Sequence, residues 1–322
     1  MSEDRHSADA AQAVAWLDEA NVLHDDAPEA ALGLLRRIPP AALPRERRNL
    51  FAYLTNHVTG ERLGRWEESL AAQQALIDCA GDDIDLTLWR HAAVAAQLAG
   101  DDARCDRWQA TLARAAGASP GEARILVALA AASVTVSGQN AVHAGREALR
   151  VLQPLATAPL TASLDASFAA VANNLASHLV ERPLDDLRHP DLRSALDLAA
   201  HVALRCWTRA GGWVQKERAH YLCALTANAL GEGERGLAQA HQGLALIDAH
   251  DRDETQTIDR AFLELEQGQA LWLIGRDGAA QAEERARALA SHFHDDGVRR
   301  AFADRLRRNE ALRDHQLKRI TG

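Results

Sequence analysis

The chain has 322 residues, of which 47% are hydrophobic, 25% are charged and 4% are aromatic, and its formal net charge is −9. This apolar content is enough for a large buried core, and the acidic balance argues against nucleic acid or an anionic membrane as the main partner. The polar, acidic N-terminus is unlike a signal peptide, and the longest apolar run, Ile125 to Val136, is too short to span a bilayer. We therefore expect a soluble, cytoplasmic protein.

Helical periodicity runs through almost the whole chain, and alternation of the strand type is not convincing anywhere. Residues 1–7 are predicted to be disordered. The predicted helices lie near 8–24, 27–38, 43–60, 64–79, 84–99, 102–116, 119–137, 139–156, 160–182, 190–209, 212–231, 233–249, 253–275, 277–293 and 297–316. The short joints between them are rich in Gly, Asp, Ser and Pro, which end one helix and cap the next.

These joints recur at a regular spacing. Gly64 precedes Gly100 by 36 residues, Gly100 precedes Gly138 by 38, and Gly231 precedes Gly275 by 44. A period of this size is typical of stacked helical hairpins. The sequence thus predicts an all-α domain over residues 8–322, built from about seven hairpins and a C-terminal capping helix, with a possible subdivision near 157–160.

Small residues follow most of these turns at a fixed distance, as Ser69, Cys105 and Gly236 do. We predict that they face the first helix of the same hairpin, because closely packed helices need small side chains at their contact. Gly236 and Gly243 lie inside a predicted helix, where glycine is unfavourable, and are assigned to this contact. The four cysteines form no Cys-x-x-Cys pair and are predicted to be buried thiols in a reducing compartment.

Two segments carry a family resemblance. LGRWEESLAAQQALI, with Gly64, Trp66 and Ser69, and LGEGERGLAQAHQGLALI, which begins at Leu230, resemble the turn and second helix of the tetratricopeptide repeat superfamily. AVANNLASHLVE, from Ala170 to Glu181, is similar to the first helix of the kinesin-light-chain type of repeat, whose hallmark is Asn-Asn-Leu-Ala. The hairpin at 139–156 is out of register, and ERPLDDLRHPD is an inserted loop.

The resemblance implies a right-handed superhelix in which the first helix of each hairpin lines a concave groove that holds a peptide or a partner helix. Counting back from the turn glycines places a set of polar and aromatic side chains on that groove: Arg90, His91, Gln97, Asn173, Asn174, Ser177, Arg218, Tyr221, Asn228, Glu266, Gln269 and Trp272. An Asn amide offers both a donor and an acceptor to a peptide backbone, and an Arg guanidinium holds a carboxylate in a forked pair. The alternatives are a polar helix face or a helix-to-helix hydrogen bond for Asn173 and Asn174, and a solvated surface charge for each Arg. For the Trp residues the alternative is a core position between repeats.

One group of possible metal ligands stands close together in the sequence: His292, His294, Asp295 and Asp296. This group is a weak candidate, because two aspartates after a helix end also form an ordinary cap for the next helix. No metal and no cofactor are therefore predicted. The basic segment after residue 297 is predicted to be the capping helix, with a partner-docking helix as the alternative.

No catalytic motif for nucleophilic attack, phosphate binding or dinucleotide binding is present. The first hypothesis is a scaffold or regulatory adaptor that binds a protein or peptide segment in its groove and is not an enzyme. The second is a helical enzyme or small-molecule sensor with its site in the groove. The third is a self-assembling subunit whose groove is filled by another copy of the chain, so that a homo-oligomer forms.

Overall fold

The computed structural model describes residues 2–81, 84–136, 138, 140–158, 160–252 and 255–321, and it excludes the side chains of residues 2–8 and 318–321. Over these residues the chain is helical, without a strand, and its α-helices pack mainly against their neighbours in the sequence. The all-α prediction is therefore confirmed. Three short 3₁₀ turns lie in the joints, at Pro40–Ala42, Ala162–Leu164 and Asp186–Arg188.

The chain forms two compact units, residues 1–135 (unit 1) and 136–322 (unit 2). The sequence instead indicated one domain with a possible subdivision near 157–160. The observed boundary coincides with the joint before the hairpin that is out of register with the others.

Unit 1 contains seven α-helices and one π-helical segment. They are α1 (Ser2–Leu23), α2 (Pro28–Leu35), α3 (Arg45–Leu54), the π-helical segment Thr55–Arg62, α4 (Trp66–Ala80), α5 (Leu86–Leu98), α6 (Asp102–Ala116) and α7 (Pro120–Thr135).

Helices α1, α3, α5 and α7 contact one another in succession, and each of the first three also packs with the helix that follows it, α3 through its π-helical continuation. Leu17, Phe51, Leu54 and Leu76 belong to the core between these helices. Helix α1 begins at Ser2, so residues 2–7, predicted to be disordered, are helical. Acidic residues in a first turn, followed by alanines, favour this extension.

Unit 2 contains eight α-helices. They are α8 (Ala141–Leu155), α9 (Asp165–Val180), α10 (Pro190–Ala210), α11 (Trp213–Ala229), α12 (Gly233–His250), α13 (Thr257–Leu273), α14 (Ala279–Ala290) and α15 (Asp296–Thr321).

Helices α9, α11 and α13 each pack with the helix that follows, and α9 contacts α11, α11 contacts α13, and α13 contacts α15. Helix α8 packs on α10. Each unit therefore contains three helical pairs. Helices α7 and α8, predicted to form one hairpin, lie in different units.

The turn glycines end their helices in the same way. Gly231 adopts φ +80° and Gly275 φ +64°, the left-handed region that glycine occupies without strain. After α11, the N–H of Gly231 donates to the carbonyl of Asn228 and the N–H of Glu232 donates to that of Ala227. This pair of bonds is the Schellman motif, and it satisfies carbonyls that the helix end would leave unpaired.

Gly236 and Gly243 both lie at close helix contacts, but with different partners. A Cβ at Gly236 would overlap the side chain of Asn228 in α11, the first helix of the same pair, as predicted. A Cβ at Gly243 would instead approach Cδ2 of Leu263 in α13 to 2.7 Å. The assignment of Gly243 to the contact within its own hairpin is therefore wrong. Of the cysteines, Cys79 is exposed and the other three are buried.

We expect Gly236→Leu to lower the free energy of unfolding by about 1–3 kcal/mol, because a leucine there overpacks the α11–α12 contact. Gly33→Leu is the control, since no atom lies within 4 Å of a Cβ at that helical position. Urea denaturation of the two variants measures the difference. Equal stability of both would show that α11 and α12 tolerate a larger separation at Gly236.

Candidate functional site

Five of the side chains predicted for the groove come together in unit 2. Tyr221 and Asn228 lie on α11, and Glu266, Gln269 and Trp272 lie on α13. Together with Glu181, which follows α9, we call this surface the groove face. It is not open: helix α15 lies across it.

A buried polar pair joins two helices of the groove face. Asn228 and Glu266 are both fully buried, and Nδ2 of Asn228 donates to the backbone carbonyl of Glu266 at 2.9 Å and to its carboxylate Oε2 at 2.8 Å. Burial raises the pKa of the Glu266 carboxyl, and it outweighs the opposite effects of Arg305, Asn228 and Asn309. A buried carboxyl needs such partners, because leaving it unpaired would cost several kcal/mol.

Helix α15 supplies the remaining partners of this pair. Nδ2 of Asn309, itself buried, lies 3.4 Å from Oε1 of Glu266. One turn further on, Nε of Arg313 donates to Oε1 of Gln269 at 2.7 Å, and its guanidinium lies 5.7 Å from the ring centre of Trp272. Arg313 also pairs with Glu283 of α14 at 3.1 Å. Polar residues on one face of α15 thus match polar residues on α13.

Two further arginines of α15 reach the end of α9. Arg305, which is 9% exposed, pairs with Glu181 and lies beside Tyr221. Arg308 donates to the backbone carbonyls of Val180 and Arg182. Cations at a helix C-terminus satisfy its free carbonyls and interact favourably with the helix dipole. Helix α15 therefore contacts the end of α9, and residues within α13 and α14, with charged side chains.

The apolar side of α15 continues the core of unit 2. Phe302 and Leu306 belong to a buried cluster with Ala261 and Leu265 of α13 and Ala286 of α14. The ring of Phe302 meets that of Phe262 edge to face, with 5.4 Å between ring centres. The segment therefore covers the last pair with its apolar face, as the capping-helix prediction requires, and fills the groove face with its polar side.

Three of the residues predicted for the groove are buried in the structure. Asn228, Glu266 and Gln269 expose none of their surface. The sequence did not reveal that residues of α15 contact this part of the groove face. Asn309 and Arg313 lie more than 40 residues from their partners in α13, and no local pattern connects them.

Three predicted residues lie on α9. Asn174 is exposed, and Asn173 and Ser177 are half-buried. Asn174 precedes Glu181 by seven residues, which is two helical turns, so both occupy the same side of the helix. Along α9, Val180 is the first residue for which the structure describes a contact with α15. Asn174 and Ser177 therefore extend the groove face beyond the part that α15 covers.

Arg218 forms an ion pair across the groove helices and lies next to a buried acid. Its Nε donates to Oδ2 of Asp259 on α13 at 3.0 Å, and its side chain is 60% exposed. The adjacent Glu217 is fully buried. Burial, followed by the negative charge of Asp259, raises the pKa of Glu217 to about 8.

Glu217 makes the stability of the protein depend on pH. Because its pKa is raised on folding from 4.5, the folded state retains a proton that the unfolded chain has lost. The free energy of unfolding therefore falls as the pH rises through the interval between these two values.

We expect Glu217→Gln to flatten this dependence and to stabilise the protein at pH 7 by on the order of 1–3 kcal/mol. Thermal unfolding between pH 5 and 8 measures it, with Glu284→Gln as the control, because Glu284 is exposed on α14. An unchanged pH profile in Glu217→Gln would mean that Glu217 keeps its charge in the folded protein.

The predicted residues Arg90, His91 and Gln97 lie on α5, in unit 1. Nη2 of Arg90 lies 3.3 Å from Nε2 of His91, and burial, followed by the charge of Arg90, lowers the pKa of His91. The His91 ring meets Tyr53 edge to face, and Tyr53 stacks on His57 at 5.6 Å. The sequence missed this aromatic cluster, because its members come from separate helices and form no motif.

The acidic end of the His292 to Asp296 segment is a helix cap. The N–H of Val298 donates to Oδ1 of Asp295 at 2.9 Å, which starts α15. Arg299 pairs with Asp296 and donates to the backbone carbonyl of Phe293 at 2.7 Å. A helix cap, rather than a metal site, is the interpretation that the sequence favours for this segment.

No protein-family model matches this chain, and a search of curated proteins finds no match either. Among the described helices, none combines the length and the apolar character needed to cross a membrane. The residues of the groove face are therefore the evidence on which a function is proposed.

Proposed function

We propose that this protein is a helical-repeat scaffold that binds a protein segment in helical form, and that α15 is the resident occupant of its binding groove. The three helical pairs of unit 2, and separately the three pairs of unit 1, are interpreted as tetratricopeptide-like repeats. The groove of such repeats is lined by the first helix of each pair, here α9, α11 and α13. The contacts that α15 makes with these helices are the observation that supports the proposal.

The side chains that contact α15 indicate which kind of partner helix the groove accepts. The groove face and its rim provide carboxylates at Glu181, Glu266 and Glu283, amide oxygen at Gln269 and an indole at Trp272. Helix α15 presents Arg305, Asn309 and Arg313 at intervals of four residues, which places them on one side of the helix. Ion pairs and forked hydrogen bonds specify orientation and register more than affinity. The expected partner is a helix with arginines at this spacing.

An intramolecular occupant regulates access to the groove. A tethered helix acts at an effective concentration in the millimolar range for a short flexible connection, so only a tighter or more abundant partner displaces it. The face of α15 toward the groove is polar and charged. A partner helix takes this place only when α15 leaves it, and that also opens the apolar cluster around Phe302.

Displacement is tested with a labelled peptide of residues 296–317 and the full-length chain. We expect Asn309→Ala/Arg313→Ala in the chain to increase affinity for the wild-type peptide at least tenfold, about 1.4 kcal/mol, because the internal competitor is weakened. Fluorescence anisotropy measures the binding. Arg307→Ala is the matched control, since Arg307 is 68% exposed on the same helix and pairs only with the local Asp304 among its described contacts.

A peptide carrying the same two substitutions should bind the double variant much more weakly than the wild-type peptide does. The proposal is contradicted if the folded double variant binds neither peptide, or binds both equally. If the double variant binds the peptide but the wild-type chain forms a dimer by light scattering, α15 exchanges between copies, and the groove serves self-assembly instead.

A further inference from the structure

A cluster of metal-binding side chain types lies in unit 1, away from the groove face. His24 and Asp25 follow the end of α1, and His57 and Glu61 lie in the π-helical segment. None of these four residues forms a recognisable sequence motif, because the two pairs are more than 30 residues apart. The fold brings the end of α1 next to the π-helical segment, where Nε2 of His57 lies 3.2 Å from Oδ1 of Asp25.

Three potential ligand atoms converge in this cluster. Nε2 of His24 lies 3.2 Å from Oδ2 of Asp25, and Nε2 of His57 lies 3.2 Å from Oδ1 of the same carboxylate. The three side chains present ligand atoms that all lie within 4.8 Å of one another. Two ligands bound to a tetrahedral metal at about 2.0–2.1 Å lie about 3.3 Å apart. The two distances of 3.2 Å therefore match the separation of two ligand atoms around a tetrahedral metal ion.

The other nitrogen of each imidazole is already occupied. Nδ1 of His24 lies 2.5 Å from the backbone carbonyl of Asn21, and Nδ1 of His57 lies 2.9 Å from Oε2 of Glu61. Both partners accept hydrogen bonds, so each Nδ1 carries a proton and the neutral ring presents a lone pair at Nε2. This outer arrangement of a carbonyl or a carboxylate behind the imidazole is the usual one for metal-bound histidine.

Two lone pairs and a carboxylate repel one another unless a cation lies among them. Either a metal ion or an additional proton on His57 provides that cation. A proton therefore competes with a metal for this position, and a metal gains advantage as the pH rises.

The backbone at this position is unusual and tightly held. Residues 55–62 form a π-helix, a rare conformation that is frequently found at functional sites. A Cβ at Gly60 would overlap the ring of Trp66, so the π-helical turn packs directly on that indole. Tyr53 stacks on the His57 ring with 10° between planes, which fixes the orientation of the imidazole.

The chemical types of the three ligands and the exposure of their side chains indicate which metal ion suits this cluster. Two imidazoles and one carboxylate suit zinc and its neighbours, whereas calcium and magnesium prefer oxygen ligands alone. The side chains of His57 and His24 are 14% and 23% exposed, and that of Asp25 is 65% exposed, so the cluster is open on the carboxylate side. We propose that His24, Asp25 and His57 bind one zinc-type divalent cation, with solvent as the fourth ligand.

Zinc chloride titrated into chelator-stripped, full-length protein at pH 8 tests the site by calorimetry. We expect one equivalent to bind to the wild type, and His24→Gln or His57→Gln to weaken binding at least tenfold. Glu61→Gln should weaken it about 10–100-fold, because a neutral amide oxygen replaces the charged acceptor behind Nδ1 of His57. The matched control is His292→Gln/His294→Gln, which removes two exposed histidines elsewhere and should leave the zinc affinity unchanged.

Cobalt spectroscopy of the wild type gives a second readout that does not depend on any variant's folding. Strong visible d–d absorption, as tetrahedral Co²⁺ gives, supports the site, and its displacement by zinc links the two ions. The proposal is overturned if the wild type binds no zinc, if cobalt shows only weak octahedral absorption, or if His24→Gln and His57→Gln bind zinc as the wild type does. Those results would identify an ion-paired histidine cluster only.

Discussion

The organisation of unit 2 depends on one buried carboxyl group. Glu266 lies at the contact of α11, α13 and α15, and each of its hydrogen-bond partners comes from a different helix, Asn228 from α11 and Asn309 from α15. A carboxyl group in such a place is stable only if its partners remain, so it fixes how the helices meet. Gly236 contributes to this arrangement, since the absence of its side chain leaves room for the Asn228 amide.

The repetitive features of the fold could be predicted from the sequence because they are encoded locally. Left-handed glycines, capping aspartates and a helical period determine where each helix ends, and all fifteen predicted helices are present with small differences in their bounds. The fixed spacing from the turn glycines assigned Tyr221, Asn228 and Glu266 to a groove, and in the structure all three lie near residues of α15. Equivalent positions in a repeat have equivalent surroundings, so the same spacing reaches this contact on α11 and on α13.

The features that the sequence did not reveal depend on contacts between distant residues. Arg305 and Arg308 look like part of a basic segment, and only the fold shows that they lie against the end of α9. The π-helical segment has no simple composition signal, and it brings His57 within reach of His24 and Asp25. The same reason explains the choice of metal candidate. His292 to Asp296 are adjacent in the sequence, whereas His24 follows α1 and His57 lies in the π-helical segment.

The two proposals concern different units: a groove occupied by helix α15 in unit 2, and a histidine–carboxylate cluster in unit 1. Hydrogen exchange of the full-length chain, followed by mass spectrometry, tests the central claim that α15 is seated in the groove. Buried helical amides exchange only when the structure around them opens. If α15 lies in the groove, the amides between Phe302 and Arg313 are protected from exchange to the same degree as those of α13. Exchange of that stretch as fast as in an isolated helix would contradict it.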